Sequence, residues 1–164
     1  MSPRPLAIED LARLAPPKAR LIGVDLGTKT IGLALSDVER RIATPLRTIA
    51  RTKFAADAEQ LIAEIAKFDC FALIVGLPLS MEGKEGPRSQ ATRAFMRNFA
   101  QQSPIPCAFW DERFSTAAVQ RSLIANDVSR ARRAEVIDKM AAAYILQGAL
   151  DRLASIAARQ DYPG

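Results

Sequence analysis

Runs of apolar residues separated by short polar segments divide the first part of the chain into predicted strands. RLIGVDLG, which begins at Arg20, is apolar at nearly every position, as in a strand that is buried on both faces. IGLALSD follows after three residues, so the two runs are predicted to form a hairpin closed by TKT. A third, shorter strand is expected at about 46–51.

Helical periodicity alternates with apolar runs along the rest of the chain. The amphipathic segment Phe54–Phe68 is predicted to be a helix, and the buried strand FALIVGLP after it ends at a glycine-rich loop. Pro87 suits the first position of a helix that continues towards Gln102. The remaining predicted elements are the strand IPCAFWDE, a helix over 116–126 capped by Ser115, and a last helix from about Ala134 to Ala154.

This order of elements predicts one α/β domain with a mixed sheet and helices packed on it. The length of 164 residues leaves room for one such domain with a sizeable core. Residues 1–19 contain four prolines around the amphipathic stretch from Ile8 to Leu14, and we expect them to form an arm outside the domain. The domain is predicted over 20–154, with a tail over 155–164.

The absence of histidine from the whole sequence narrows the candidate chemistry most. It excludes Ser–His and Cys–His catalysis, a histidine general base and almost every usual zinc site. The two cysteines, Cys70 and Cys107, form no CxxC pair. No apolar run approaches the roughly 18 to 20 residues of a membrane span, and the amino terminus is too charged for a signal peptide. A cytoplasmic location is expected.

The chain is moderately basic, with a formal net charge of +5. This excess suits a nucleic-acid partner without requiring one. Five arginines lie between Arg113 and Arg133 against Asp127 alone. A second group, partly offset by two glutamates, consists of Lys84, Arg88, Arg93 and Arg97. These groups indicate either a surface for a polyanion or an ordinary solvated helical face.

Two acidic positions lie at predicted strands. Asp25 interrupts an apolar strand, where an ionised carboxylate costs several kcal/mol unless a cation, a hydrogen-bond network or a metal compensates it. The alternative is a structural aspartate in a tight hairpin. Asp111 and Glu112 follow a later strand and point to opposite faces, so one of them is expected to share a site with Asp25. The alternative there is a surface acidic pair beside a helix cap.

Asp138 is the third candidate, on the last predicted helix. Helical spacing aligns it with the apolar face rather than opposite that face. An acid that complements the helix dipole is the alternative, although Glu135 suits that role better. Oxygen ligands alone favour Mg²⁺ or Mn²⁺ over zinc or copper. The loop GLPLSMEGKEGPRSQ is either a phosphate-binding loop or a flexible connection, and it is not a Walker A motif.

Four motifs in order, DLGTKTIGLALSD, VGLPLSMEGKEG, DERFST and EVIDKMAAAYIL, resemble the YqgF/RuvX family of bacterial proteins. The similarity runs from about Arg20 to Leu153. The resemblance implies an RNase H-like fold, with a mixed five-stranded sheet flanked by helices. The segment AAVQRSL departs from the family, whose members often carry a glutamate near its centre, and any accessory role of that glutamate is therefore in doubt.

The resemblance also implies a carboxylate triad for divalent metal. The residues that match it are Asp25, Glu112 and Asp138, with Asp111 as an auxiliary acid. Two cations, Mg²⁺ or Mn²⁺, about 4 Å apart would orient and deprotonate a water and stabilise the leaving oxygen of a phosphodiester. The candidates for phosphate contacts are Lys29, Lys84, Arg88 and Arg113.

The expected function is a metal-dependent endonuclease of structured RNA, acting in 5′-end maturation of pre-16S ribosomal RNA during ribosome biogenesis. One alternative is a resolvase of four-way (Holliday) DNA junctions, and another is a nucleic-acid-binding module without cleavage. The motif DxGTxxxG also opens actin-like kinases and ATPases, but those need two such domains. A monomer or weak homodimer without a membrane association is expected.

Overall fold

The structure, a computed structural model, describes residues 5–114 and 130–160, with the side chains of 137–160 in the second range. The strands are β1 Arg20–Leu26, β2 Thr30–Ser36, β3 Ala43–Ala50, β4 Cys70–Leu77 and β5 Cys107–Asp111. The helices are α1 Ile8–Leu14, α2 Phe54–Phe68, α3 Pro87–Ala100 and α4 Arg130–Gln160, and a 3₁₀ turn spans Glu112–Phe114.

All five described strands belong to one mixed sheet, in the order β3-β2-β1-β4-β5. The hairpin pairs β1 with β2, and β2 with β3, in antiparallel fashion, whereas β1, β4 and β5 run parallel. The predicted mixed five-stranded sheet flanked by helices is therefore confirmed. The parallel strands all finish at the same end of the sheet, which also contains the start of β2. This end is called the carboxyl end below.

The two faces of the sheet pack against different helices. Large aliphatic side chains such as Ile22, Val24 and Leu33 lie on one face and contact α2 and α3. On the opposite face, Leu21, Ala34 and Ile74 share a buried cluster with residues of α4. The strict alternation of side chains along β1 and β2 produces this division. The names α2/α3 face and α4 face are used for the two sides.

Helix α4 approaches its face of the sheet unusually closely, because glycines line part of its path. A Cβ atom on Gly23 would lie 2.8 Å from the Cβ of Leu146. A Cβ atom on Gly32 would overlap the main-chain carbonyl of Asp138. Side chains at these two positions would separate the helix from the strands, so the glycines set the distance at which α4 packs.

Several element boundaries differ from those predicted. Strand β3 covers Ala43–Ala50 rather than 46–51, and α4 extends from Arg130 to Gln160 rather than from about Ala134 to Ala154. Contacts with α1 and the sheet bury Leu150 and pack Leu153 beside it, whereas the added residues after Ala154 are mostly exposed. The predicted helix over 116–126 and its cap Ser115 lie outside the described residues.

Part of the proline-rich amino-terminal segment packs on the domain. Leu6 donates its N–H to the carbonyl of Cys107 at 2.8 Å and forms a bridge with Ala108 of the edge strand β5. Leu11 of α1 is fully buried in the cluster on the α4 face. The predicted domain boundary at residue 19 stays a prediction, but residues 6–14 contribute to the core. Within the described ranges, no helix is both long and apolar enough to cross a membrane.

Candidate active site at the carboxyl end of the sheet

Asp25 occupies the α4 face near the end of β1. Its neighbours in sequence, Val24 and Leu26, point to the α2/α3 face, so alternation directs Asp25 to the other side. The residue is only 2% exposed. Gly32 lies directly opposite on β2, and it has no side chain to fill the space beside the carboxylate. The sequence thus buries a carboxylate where a neighbouring strand leaves room.

Asp138 reaches the same end of the sheet from α4. Its main chain lies against Gly32, the register partner of Asp25. Its side chain reaches the β1–β2 turn, where a Cβ on Gly27 would lie 3.0 Å from the carboxylate Oδ2. The hydroxyl of Thr30 donates a hydrogen bond to this oxygen. The hairpin and the helix therefore both fix the position of the Asp138 carboxylate.

Glu112 arrives from the other side, immediately after β5. A Cβ on Gly76 of β4 would lie 2.9 Å from its Oε1. Gly76 is one residue beyond the registered pair Val24–Val75, and so it lies alongside Asp25 on the adjacent strand. The same glycine faces Ile145 of α4, which places it on the α4 face. Glu112 therefore occupies that face, at the end where Asp25 lies.

The structure thus brings all three predicted acids to one face and one end of the sheet. In the part of the chain that the structure describes, no three His, Cys, Asp or Glu side chains are already arranged as ligands of one ion. The donors near this end are carboxylate oxygens and a threonine hydroxyl, which suit a hard divalent cation. Neighbouring carboxylates also repel each other, and a bound cation would relieve that repulsion.

Asp111 points away from the three acids, as the alternation along β5 predicts. It forms a salt bridge with Arg113, whose Nη2 lies 2.6 Å from Oδ2, and it also accepts the main-chain N–H of Arg113 at 2.9 Å. The side-chain hydrogen bond from Arg113 holds the pKa of Asp111 below its ordinary value. Asp111 therefore remains ionised and shapes the turn that carries Glu112.

The four predicted phosphate contacts occupy different environments. Lys29 is exposed on the β1–β2 turn, beside the bond between Thr30 and Asp138. Lys84 and Arg88 are exposed on the loop before α3 and at its start, where Lys84 lies 3.9 Å from Glu82. Arg113 is already engaged with Asp111, and it also donates to the carbonyl of Met81 at 3.3 Å.

Similarity to known proteins identifies the family to which this chain belongs. The family model described as "RuvX: Holliday junction resolvase" matches residues 19–152. The chain belongs to the RuvX family. A curated relative from Methylocella silvestris, named "Putative pre-16S rRNA nuclease", is 65% identical over 93% of this chain and 95% of its own length. A relative with the same name from Rhizobium meliloti is 56% identical over 93% of this chain and 92% of its own length.

Solved structures share the fold of this RuvX chain at low sequence identity. T. thermophilus RuvC in complex with a Holliday junction substrate is 14% identical, with a TM-score of 0.52 over 87% of this chain and 96% of RuvC. The yeast mitochondrial Holliday junction resolvase is 15% identical, with a TM-score of 0.52 over 94% of this chain and 86% of its own length. The sheet and its flanking helices are thus those of RuvC-like resolvases, in agreement with the expected RNase H-like fold.

Sequence reasoning missed two residues that support the site in this RuvX chain. Thr30 was assigned only to the hairpin turn, yet it holds Asp138. Arg51, at the end of β3, donates from Nη1 to the carbonyl of Gly27 at 2.7 Å, and its own N–H bonds the carbonyl of Lys29 at 2.9 Å. The Thr30–Asp138 and Arg51–Gly27 bonds join residues far apart in sequence, and the Arg51–Lys29 bond uses only the main chain. No local sequence motif therefore predicts these contacts.

Proposed function

We propose that this RuvX-family protein is a metal-dependent endonuclease that cleaves structured RNA, with the 5′ end of pre-16S ribosomal RNA as its substrate. Family membership makes it a nuclease, a hydrolase of phosphodiester bonds. The RNA substrate is proposed from the names of relatives that are 56% to 65% identical. Its action in ribosome biogenesis in the cytoplasm is part of the same proposal.

One observation carries the catalytic part of this proposal. Gly32 and Gly76, on the strands that flank β1, leave space on the α4 face, and acids from α4 and from the turn after β5 contact that space on either side of Asp25. Three carboxylates at one end of a sheet are costly to hold without a cation. A bound divalent cation would reduce this cost.

Asp25, Glu112 and Asp138 would hold Mg²⁺ or Mn²⁺, and the ions would supply an activated water and charge stabilisation of the leaving oxygen. The chain's own residues prepare this arrangement. The Thr30 hydroxyl orients the Asp138 carboxylate through its hydrogen bond. Asp25 is nearly excluded from water, and electrostatic attraction to a cation is stronger in such surroundings.

Substrate binding is assigned to the basic residues around the carboxyl end of the sheet. Lys29 projects from the hairpin turn, Lys84 belongs to the loop that follows β4, and Arg88 lies in the first turn of α3. These three side chains are exposed and are proposed to contact phosphates on either side of the scissile bond. We propose that Arg113 contacts phosphate without breaking its ion pair with Asp111. That ion pair fixes the turn that carries Glu112.

A four-way DNA junction is the second candidate substrate, because the matching family model is described as a Holliday junction resolvase. Symmetrical cleavage of a four-way junction requires two active sites related by a two-fold axis. A monomer or weak homodimer, which the sequence predicts, suits a single cut in RNA better. Sedimentation of the protein with and without a junction would measure this difference directly.

The deciding experiment compares the protein with its Asp25→Asn variant on labelled pre-16S 5′-leader RNA and on a four-way DNA junction. Each reaction contains Mg²⁺, Mn²⁺ or EDTA. We expect metal-dependent RNA cleavage, reduced about 100-fold or more in the variant because charge stabilisation at the site is lost. Asp69→Asn is the matched control, since Asp69 is exposed at the opposite end of the sheet and its left-handed backbone suits asparagine equally well.

Thermal unfolding with Mn²⁺ provides a second readout that does not depend on cleavage. The ion should raise the melting temperature of the protein and of Asp69→Asn, but not that of Asp25→Asn. Unchanged cleavage by a folded Asp25→Asn variant would refute the proposed site. Cleavage of the junction in place of the RNA would keep the enzyme class and transfer the substrate to DNA.

A further inference from the structure

Phe114 is an exposed aromatic residue two positions after Glu112. Its side chain is 69% exposed, although a phenylalanine in such a position loses hydrophobic stabilisation. Leu14, Ile42 and Met81 are the other large apolar side chains that are exposed among the described residues. Of these four, only Phe114 is aromatic, and it belongs to the turn that carries a proposed metal ligand.

Two neighbouring side chains contact the Phe114 ring. Trp110 contacts it edge to face, with ring centroids 6.2 Å apart and planes at 71°. The Arg113 guanidinium lies 5.8 Å from the ring centroid, and Arg113 is itself fixed by Asp111. Trp110 packs against α4 so closely that a Cβ on Gly148 would lie 2.9 Å from its Nε1. An exposed ring that is anchored in this way is preorganised for a flat partner.

A groove of about 370 Å³ opens beside this ring, between β5, α1 and α4. It is lined by Ile8, Glu9, Phe109, Trp110, Phe114 and Arg152, with Asp111 at the end nearest the 3₁₀ turn. Two of the lining residues, Arg152 and Glu9, form an ion pair of 3.2 Å. The volume falls within the range of about 300–1,000 Å³ typical of small-molecule sites.

The charges around the groove favour a neutral occupant. Glu9 is paired with Arg152 and Asp111 with Arg113, so the charges at the groove cancel and offer a phosphate no net attraction into it. Aromatic rings beside a neutral, flat ligand provide stacking, which every nucleobase can accept. A base in a continuous duplex is already stacked between its neighbours and cannot enter such a groove. The chemistry therefore selects an unpaired base.

We propose that this groove binds one unpaired nucleobase of the substrate strand, stacked on Phe114, next to the phosphodiester that is cleaved. The proposal rests on the proposed nuclease site, because Glu112 and Phe114 belong to the same 3₁₀ turn. It makes Phe114 a specificity residue: it directs cleavage to unpaired nucleotides and away from uninterrupted duplex.

The test uses 2-aminopurine, a fluorescent base whose emission falls when it stacks on an aromatic ring. Two probes are RNA hairpins that carry it in the loop or in the paired stem, and two are four-way DNA junctions that carry it at the crossover or in an arm. Binding is measured in EDTA, so that no strand is cut. The protein should quench the unpaired probe and leave the paired one unchanged. Phe114→Ala should abolish the quenching and weaken binding about fivefold to a hundredfold.

Two further variants separate stacking from a general loss of apolar surface. Ile42→Ala removes a side chain of similar exposure, 64%, on the turn at the opposite end of the sheet, and it should leave quenching and affinity unchanged. Phe114→Trp keeps an aromatic face and should retain the quenching. Quenching that survives in Phe114→Ala, or that is equal for paired and unpaired probes, would overturn the proposal.

The outcomes also distinguish this inference from the proposed function. RNA cleavage with no role for Phe114 refutes the base groove alone. Phe114-dependent quenching confined to the DNA junctions supports the groove and refutes the RNA substrate. A wild-type protein that binds none of the four probes refutes the base groove, and the metal-dependent cleavage assay then decides the proposed function on its own.

Discussion

The two faces of the sheet differ in the size of the side chains that they bury. Among the described residues, the buried cluster on the α2/α3 face holds fifteen residues, of which one is alanine. Its counterpart on the α4 face holds twelve, of which six are alanine, and glycines complete the surface. The large side chains of the α2/α3 face stabilise the fold through the apolar volume that they bury. The small residues of the α4 face allow the helix to pack close to the strands.

The short distance has a functional consequence. Because α4 lies against Gly32, its main chain delivers Asp138 to the strand next to Asp25. The α2/α3 face is filled mainly with leucine, isoleucine and phenylalanine, and the two acids buried on its helix, Asp57 and Glu64, each pair with an arginine. We infer that one face mainly supplies stability and the other positions the chemistry, and substitutions on each face can test this division.

Phe99→Ala should give the largest loss of stability. Phe99 is 1% exposed in the cluster on the α2/α3 face, and its truncation leaves a cavity that costs about 3–5 kcal/mol. Urea unfolding measures the loss, and the cleavage rate per folded molecule should stay unchanged. Phe114→Ala removes the same atoms from an exposed ring and should cost no more than about 0.5 kcal/mol. A large drop in the rate for folded Phe99→Ala would contradict the division between the faces.

Gly32→Ala should produce the opposite combination, a smaller loss of stability with a large loss of activity. The added methyl overlaps the main chain of Asp138, which cannot rotate away as a side chain would, so α4 must shift. Such overpacking costs about 1–3 kcal/mol. Gly86→Ala is the control, because a Cβ there meets no atom within 4 Å. Normal cleavage by Gly32→Ala would show that the close approach of α4 does not position the site.

Much of this architecture could be predicted because its signals are local. Apolar runs and alternation identify β1, β2 and α2, and helical spacing aligns Asp138 with the apolar face of the last helix, where Ala142 and Ile145 are buried. The parallel order of strands then places Asp25 and Glu112 at one end of the sheet. These inferences use only the periods of helix and strand and the rule that parallel strands end together.

The features that sequence reasoning missed depend on contacts between distant parts of the chain. The burial of Leu11 arises from contact between two segments at opposite ends of the sequence. Arg51 acts on the β1–β2 turn from the end of β3, across a strand pairing. The exposed ring of Phe114 was also missed, because no local pattern in the polar segment DERFST indicates whether its one aromatic side chain is exposed.

Thr30→Val should change stability only slightly and change activity selectively. Valine keeps the shape of threonine but cannot donate to Asp138, so unfolding should be easier by only about 1 kcal/mol. The Asp138 carboxylate would lose its fixed orientation, and loss of such a supporting hydrogen bond typically costs 10- to 100-fold, by a rough estimate, in metal affinity or activity. Mn²⁺ titration and cleavage kinetics measure the two effects. Thr44→Val, on the exposed edge of β3, should change neither, so an equal effect of both variants would show that Thr30 only stabilises the hairpin.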